Sequence, residues 1–179
     1  MALAGASTLN RLELDHQPTD RYHKIHYDPQ AIQATLLTLG VRCLPKHAKE
    51  LVIDLDAMGH LVHGLQEGRH FSAYYDGYCL LPLYAFVGDV PLWAALRPGD
   101  ADAAEGVVAA LEPIVRAIRK RCRRARIIVR ADSGFAREEI LAWCERQTPE
   151  VYYCFGLARN ARLEAMIPEA LAAARARRC

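Results

Sequence analysis

Two stretches of the chain end in the same way. Leu51-Val52-Ile53-Asp54-Leu55-Asp56 and Ile127-Ile128-Val129-Arg130-Ala131-Asp132 are largely apolar, β-branched runs that close on an acid. Each reads as a buried strand that carries a carboxylate to its C-terminal end. Two close carboxylates repel unless a cation sits between them. Hard oxygen donors of this kind suit Mg²⁺ or Mn²⁺. Two such ions roughly 3.5–4 Å apart activate a water or hydroxyl and stabilise the leaving oxygen of a phosphodiester. Asp56 and Asp132 are therefore the candidate metal ligands and catalytic acids. A period of two puts Asp54 on the face of Asp56, as a candidate assisting acid, and turns Ile53 and Leu55 to the core. Taken alone, each Asp also reads as a cap or turn residue. Asp132-Ser133-Gly134 suits a turn, with Ser133 as N-cap of the next helix and Gly134 permitting the bend.

Other residues invite chemistry less directly. His60, His63 and His70 surround Gln66-Glu67-Gly68, but no cysteine or second pair stands at zinc spacing, so a polar loop is the simpler reading. Six basic residues crowd the end of a helical pattern: Arg119, Lys120, Arg121, Arg123, Arg124 and Arg126. Cations favour a helix C-terminus, yet six exceed what the dipole requires, so the block is a candidate DNA-binding, phosphate-contacting surface. Phe71, Tyr74, Tyr75, Tyr78, Tyr84 and Phe86 could stack bases, but at strand spacing they read as core.

The elements that must position these groups follow from periodicity and punctuation. Residues 30–40 read as a helix that Gly40 would end. After the 51–56 strand, residues 71–87 form a strand broken at Pro82, Gly88-Asp89 a turn, and 90–96 a return strand whose Pro91 marks an edge. Asp102-x-x-Glu105 resembles a capping box. Ala104, Val107, Val108, Leu111, Ile114, Val115 and Ile118 then recur at helical spacing, with Pro113 expected to kink or split the helix. After the 127–132 strand come a helix near 135–146 with Ile140, Leu141 and Cys144 inward, a strand at 151–157, a helix at 161–167, and a last helix opened by Pro168. Three strands ahead of a helix, then alternating strand and helix, is the order of an RNase H-like fold: α/β, a mixed sheet flanked by helices. In an open sheet of this kind the carboxyl ends of the parallel strands border the ligand crevice.

The bulk figures bound the rest. At 179 residues the chain fits one domain, and 52% hydrophobic with 25% charged residues supply a core. A net charge of +2 gives no global polyanion signature, so any nucleic-acid contact must be local. No apolar run reaches transmembrane length, and Asp15, His16, Asp20, Arg21 and Lys24 interrupt any signal-peptide core. The six cysteines are scattered without C-x-x-C, which reads as a reduced, cytosolic protein without a disulfide framework.

With these residues in view the chain resembles a known family. Val52-Ile53-Asp54-Leu55-Asp56-Ala57, His63-Gly64-x-Gln66-Glu67-Gly68, Tyr74-Tyr75-Asp76-x-Tyr78-x-x-Leu81-Pro82-Leu83-Tyr84, Leu96-Arg97-Pro98-Gly99, Arg130-Ala131-Asp132-Ser133-Gly134-Phe135-Ala136-Arg137 and Tyr153-x-Phe155-Gly156-Leu157-Ala158-Arg159-Asn160 are similar to bacterial insertion-sequence transposases of the DDE type, DDE domain group 1. The resemblance implies cut-and-paste transposition of an element bounded by inverted repeats, with two Mg²⁺ or Mn²⁺ ions and double-stranded DNA at transposon ends as substrate. It implies no membrane, a location in the bacterial cytoplasm on the nucleoid, and a homodimer or a full-length transposase as protein partner. Asp56 takes the place of the first catalytic acid and Asp132 of the second.

Departures from the family pattern shape the expectation. Met58 stands where the family often has Thr. The third acid, a Glu on a later helix near a Tyr, an Arg and a Lys, has no match here; Glu164 and Glu169 are the candidate third acids, without those neighbours. Ser7 to Glu13 reads as a helical turn and resembles a segment internal to longer relatives. The expectation is a polar segment and helix over residues 1–45 and a partial RNase H-like catalytic domain over 46–179, truncated at both ends, incomplete at the C-terminus, and weakly active or inactive. Two alternatives stand beside it: a non-enzymatic DNA-binding remnant using the basic block, and a self-contained RNase H-like nuclease using Glu164 or Glu169.

Overall fold

The computed structural model describes residues 28–158 and 160–177. The Ser7–Glu13 turn, Arg159, and the last residues Arg178 and Cys179 lie outside them. Helix α1 spans Pro29–Cys43. The Asp28 carboxylate accepts from the Gln30 and Ala31 amides at 2.9 and 3.1 Å, and Pro29 needs no partner in a first turn. Gly40 does not end this helix. It is the point where α1 meets the sheet: a Cβ there would lie 2.4 Å from the Pro91 carbonyl oxygen and 2.7 Å from a Leu92 methyl. Close approach, not chain termination, is what that glycine supplies.

The main sheet consists of β1 (Glu50–Ala57), β5 (Leu83–Val87), β6 (Val90–Ala95), β7 (Arg126–Ala131) and β8 (Val151–Phe155), in spatial order β6-β5-β1-β7-β8. β1 pairs antiparallel with β5, and β5 with β6; β7 pairs parallel with β1, and β8 with β7. This is the expected RNase H-like mixed sheet. Pro91 lies on β6 at the sheet edge, where a missing amide costs no ladder bond. β2 (His60–Leu61), β3 (His70–Ser72) and β4 (Gly77–Leu80) make a separate three-stranded sheet in the order β2-β4-β3. Its short strands leave Phe71, Tyr74 and Tyr78 exposed at 58%, 88% and 47%, so these aromatics are not core.

One core lies on one face of the main sheet. Helix α2 (Val107–Arg121) contributes Val107, Ala110, Leu111, Ile114, Val115 and Ile118; helix α3 (Glu138–Glu145) contributes Ile140, Trp143 and Cys144. They pack with Ile53, Leu55, Ile127, Val129 and Val151, and Val41 and Leu44 join the same cluster. Trp143, one turn on from Ile140, takes the inward place expected of Leu141. Pro113 does not split α2, whose buried face runs through both halves. The helix also starts later than its apolar pattern. Gly106, at φ 73°, turns the chain just before it, and the Asp102 carboxylate accepts from the Ala104 amide at 2.8 Å, capping a preceding turn instead. The Arg97 guanidinium holds that turn to the sheet by donating to the carbonyls of Leu81, Asp102, Ala103 and Glu105 at 2.6–3.3 Å. Two further helices, α4 (Ala161–Met166) and α5 (Pro168–Ala176), bury no residue. Among the described residues no helix is long and apolar enough to cross a membrane.

Candidate functional site

Parallel pairing of β1 with β7 is in register from Glu50↔Arg126 to Asp54↔Arg130. Asp56 and Asp132 each lie two residues past that last pair. Both therefore lie at the C-terminal ends of adjacent parallel strands, Asp56 within β1 and Asp132 one residue after β7. On the other side of β7, Ala131 pairs with Phe155, and the Gly156 amide donates to the Ala131 carbonyl at 3.0 Å. On the other side of β1, Asp56 pairs with Tyr84. The edge thus reads Tyr84, Asp56, Asp132, Gly156 across four strands.

Alternation puts this row on the face opposite the core. Ile53 and Leu55 are buried, whereas Asp54 is half-buried and Asp56 exposed. Asp132 is also exposed, just after the end of β7. Its carboxylate Oδ1 accepts from the Gly134 amide at 2.7 Å, which caps the short 3-10 turn Ser133–Phe135. Ser133 is thus inside that turn and does not cap α3, which begins after Arg137. Phe135, 1% exposed, anchors the turn in the core and so fixes Asp132. Gly156 leaves room on the far side: a Cβ there would lie 3.1 Å from the Ser133 nitrogen and 3.4 Å from the Asp132 carbonyl carbon.

Asp54 is engaged elsewhere. Arg130 Nε donates to its Oδ1 at 2.5 Å and Nη2 to its Oδ2 at 2.9 Å. The bond to Asp54 holds the Arg130 pKa above its ordinary value. Beside Asp56, the Tyr84 hydroxyl and His60 Nε2 lie 3.5 Å apart, with their rings edge to face. Sequence reasoning missed this pair as site neighbours, since only strand register brings Tyr84 opposite Asp56. His70 faces Asp100 at 3.3 Å. Among the described residues no three His, Cys, Asp or Glu side chains converge to hold a metal ion. His60, His63 and His70 accordingly do not form a zinc cluster, and Glu164 and Glu169, on the exposed helices α4 and α5, do not complete a triad with Asp56 and Asp132.

The donor set at the edge, two hard carboxylates, still suits a divalent ion. Among the described residues, Asp132 Oδ2 and both Asp56 oxygens have no hydrogen-bond donor.

The basic block lies at the other end of the sheet. Arg126 opens β7, opposite Glu50, which it meets at 3.8 Å; its guanidinium also sits 4.1 Å over the Tyr152 ring. Six residues of extended chain separate Arg126 from Asp132, roughly 20 Å. Arg121 donates to the Leu44 carbonyl at 2.9 Å and the Arg42 carbonyl at 2.6 Å. Arg119 donates to the Pro149 carbonyl, and burial lowers its pKa. Lys120, Arg123 and Arg124 are exposed.

Residues 1–179 match the family model described as transposase DDE domain group 1. None of the curated proteins matches the chain. A solved structure, the Mos1 transposase paired-end complex with left transposon end, is similar at 15% identity and a TM-score of 0.39, over 92% of this chain and 56% of that one. The chain spans a little over half the length of that protein.

Proposed function

We propose that this chain, which belongs to the transposase DDE domain group 1 family, performs metal-dependent phosphodiester cleavage and strand transfer on transposon DNA, with Asp56 and Asp132 as its paired acids. One observation supports the reading: β1 and β7 pair in parallel up to Asp54↔Arg130, so both acids lie at the same end of neighbouring strands. That edge is where open sheets of this kind bind ligands.

Asp56 and Asp132 would hold the ion, Mg²⁺ or Mn²⁺. When bound, a divalent ion supplies Lewis acidity and a water activated for attack on phosphorus. The chain's own residues do the positioning. The Gly134 amide fixes one oxygen of Asp132 and leaves the other to point outward. Arg130 neutralises Asp54, so the edge presents two negative charges and not three. The Tyr84 hydroxyl and the His60 ring border Asp56 and offer hydrogen bonds to a phosphate oxygen of the bound strand.

The substrate in this reading is double-stranded DNA at transposon ends, and the location is the bacterial cytoplasm on the nucleoid. A homodimer or a full-length transposase is the protein partner. With two acids and no third converging among the described residues, the ion is held weakly and turnover is slow. The test is nicking of supercoiled plasmid by the purified chain with Mg²⁺ or Mn²⁺. Nicking that disappears in Asp56→Asn and in Asp132→Asn, and persists in Glu164→Gln and Glu169→Gln, is the expected pattern. Loss in either Glu variant with the fold intact would shift the reading to a self-contained nuclease. Nicking that is unchanged in both Asp variants would refute the site.

A further inference from the structure

The end of the sheet far from the acids gathers cations from two separate parts of the chain. A cleft of about 660 Å³ between α2 and α3 is lined by Arg116, Arg119, Lys120 and Arg123, with Glu112 as its one acid. A second, of about 510 Å³, is lined by Lys46, His47, Lys49, Arg121, Arg123 and Arg124. A third, of about 530 Å³, connects them to α1 through Arg42, Lys46, Lys120 and Arg121. The loop before β1 and the last turn of α2 thus present one continuous basic surface, because the Arg126 amide donates to the Lys49 carbonyl and Arg121 ties α2 to Leu44. Among the described residues, Arg42, Lys46, Lys49, Arg116, Lys120, Arg123 and Arg124 make no ion pair with a carboxylate.

We propose that this surface binds the phosphate backbone of duplex DNA, independently of sequence and of divalent metal. It holds a stretch of DNA other than the phosphate placed at Asp56 and Asp132. The separation of roughly 20 Å corresponds to about six base pairs of duplex rise. Its composition selects the partner. No large hydrophobic side chain is exposed between residues 42 and 49 or between 112 and 126. A membrane-binding surface inserts apolar side chains beside its cations, and a single-strand groove offers aromatic platforms for bases. This surface offers no such row; Tyr152, exposed beside the block, lies under the Arg126 guanidinium at 4.1 Å. Long flexible cations alone neutralise phosphates and read no base edge. The inference shares with the proposed function its choice of DNA as partner, but needs neither the acids nor a metal.

The test is fluorescence polarisation of a short duplex of arbitrary sequence with the full chain in EDTA, over a range of salt concentrations. Wild type and Asp132→Asn are expected to bind alike, with log affinity falling linearly in log salt. The variant Lys46→Gln/Lys120→Gln/Arg123→Gln/Arg124→Gln should bind more than tenfold more weakly, with a slope shallower by roughly 3.6, about 0.9 for each of the four phosphate contacts removed. Should the quadruple variant fail to fold, the single variants Lys120→Gln and Arg123→Gln each carry the test, with a slope change of about one. Unchanged affinity and slope in the variants would overturn the proposal. So would binding that requires Mg²⁺ and is lost in Asp56→Asn, or binding to phosphatidylserine vesicles tighter than to the duplex. Failed nicking with intact duplex binding overturns the catalytic reading alone.

Discussion

Asp54 and Arg130 occupy paired positions on β1 and β7 and are joined by two hydrogen bonds, of 2.5 and 2.9 Å, one pleat behind the acids at the edge. Strand alternation puts Asp54 and Asp56 on one face, but their chemistry differs because only Asp54 has a guanidinium opposite it. Asp54→Asn is expected to retain plasmid nicking, whereas Asp56→Asn abolishes it. Asp54→Asn and Arg130→Gln should each lower Tm by no more than a few degrees, since Arg130 is exposed and Asp54 only half-buried. The double variant should lose little more than the worse single one, as thermal melts of the four proteins will show.

Gly156 is the neighbour that keeps Asp132 in place. A Cβ at this position presses on the Ser133 nitrogen and the Asp132 backbone. Gly156→Val should reduce nicking on the order of ten- to a hundredfold, and Gly156→Ala less. Duplex binding in EDTA should be unaffected in both, because the basic end of the sheet is remote from this contact.

Gly40 tests the packing of α1 on the sheet edge. Its missing side chain admits the Pro91 carbonyl oxygen to 2.4 Å of where a Cβ would stand. Backbone cannot yield as a flexible side chain does, so Gly40→Val should cost about 1–3 kcal/mol in urea unfolding.

The Cys144 thiol, packed in the core between α3 and the sheet, has its pKa pushed up to about 11 by burial, with Glu145 adding to the shift. A pKa raised in the folded state contributes stability that is fully present below the unfolded value and lost as pH rises through the folded one. Stability should therefore fall as pH climbs from the ordinary thiol range towards 11, and Cys144→Ala should flatten that part of the profile. Iodoacetamide at neutral pH should label the exposed Cys43 and Cys154 and spare Cys79, Cys122 and Cys144, read by peptide mass spectrometry.

The strands, their core faces and the position of Asp56 and Asp132 at strand ends were legible in the sequence because period two and β-branching act locally. Ile53 and Leu55 face inward and Asp56 outward for that reason. What depends on register was not legible. Nothing local says that Tyr84 stands opposite Asp56, that Arg130 meets Asp54, or that Lys46 and Lys49 join the basic block across the start of two strands. The aromatic run misled because it was read as one layer. Its first part belongs to the small separate sheet, where Phe71, Tyr74 and Tyr78 stay exposed. Gly40 and Pro113 misled for a related reason: tertiary packing keeps α1 and α2 continuous through residues that would break an isolated helix.

In the proposed site Asp56 and Asp132 share a divalent ion, one of the two that the chemistry calls for. Mn²⁺ binding, followed by loss of the free-ion electron paramagnetic resonance signal on titration with protein, tests that directly. Wild type should deplete the signal, Asp56→Asn and Asp132→Asn should each bind at least tenfold more weakly, and Asp54→Asn should match wild type. Equal Mn²⁺ binding by wild type and both edge variants would contradict it.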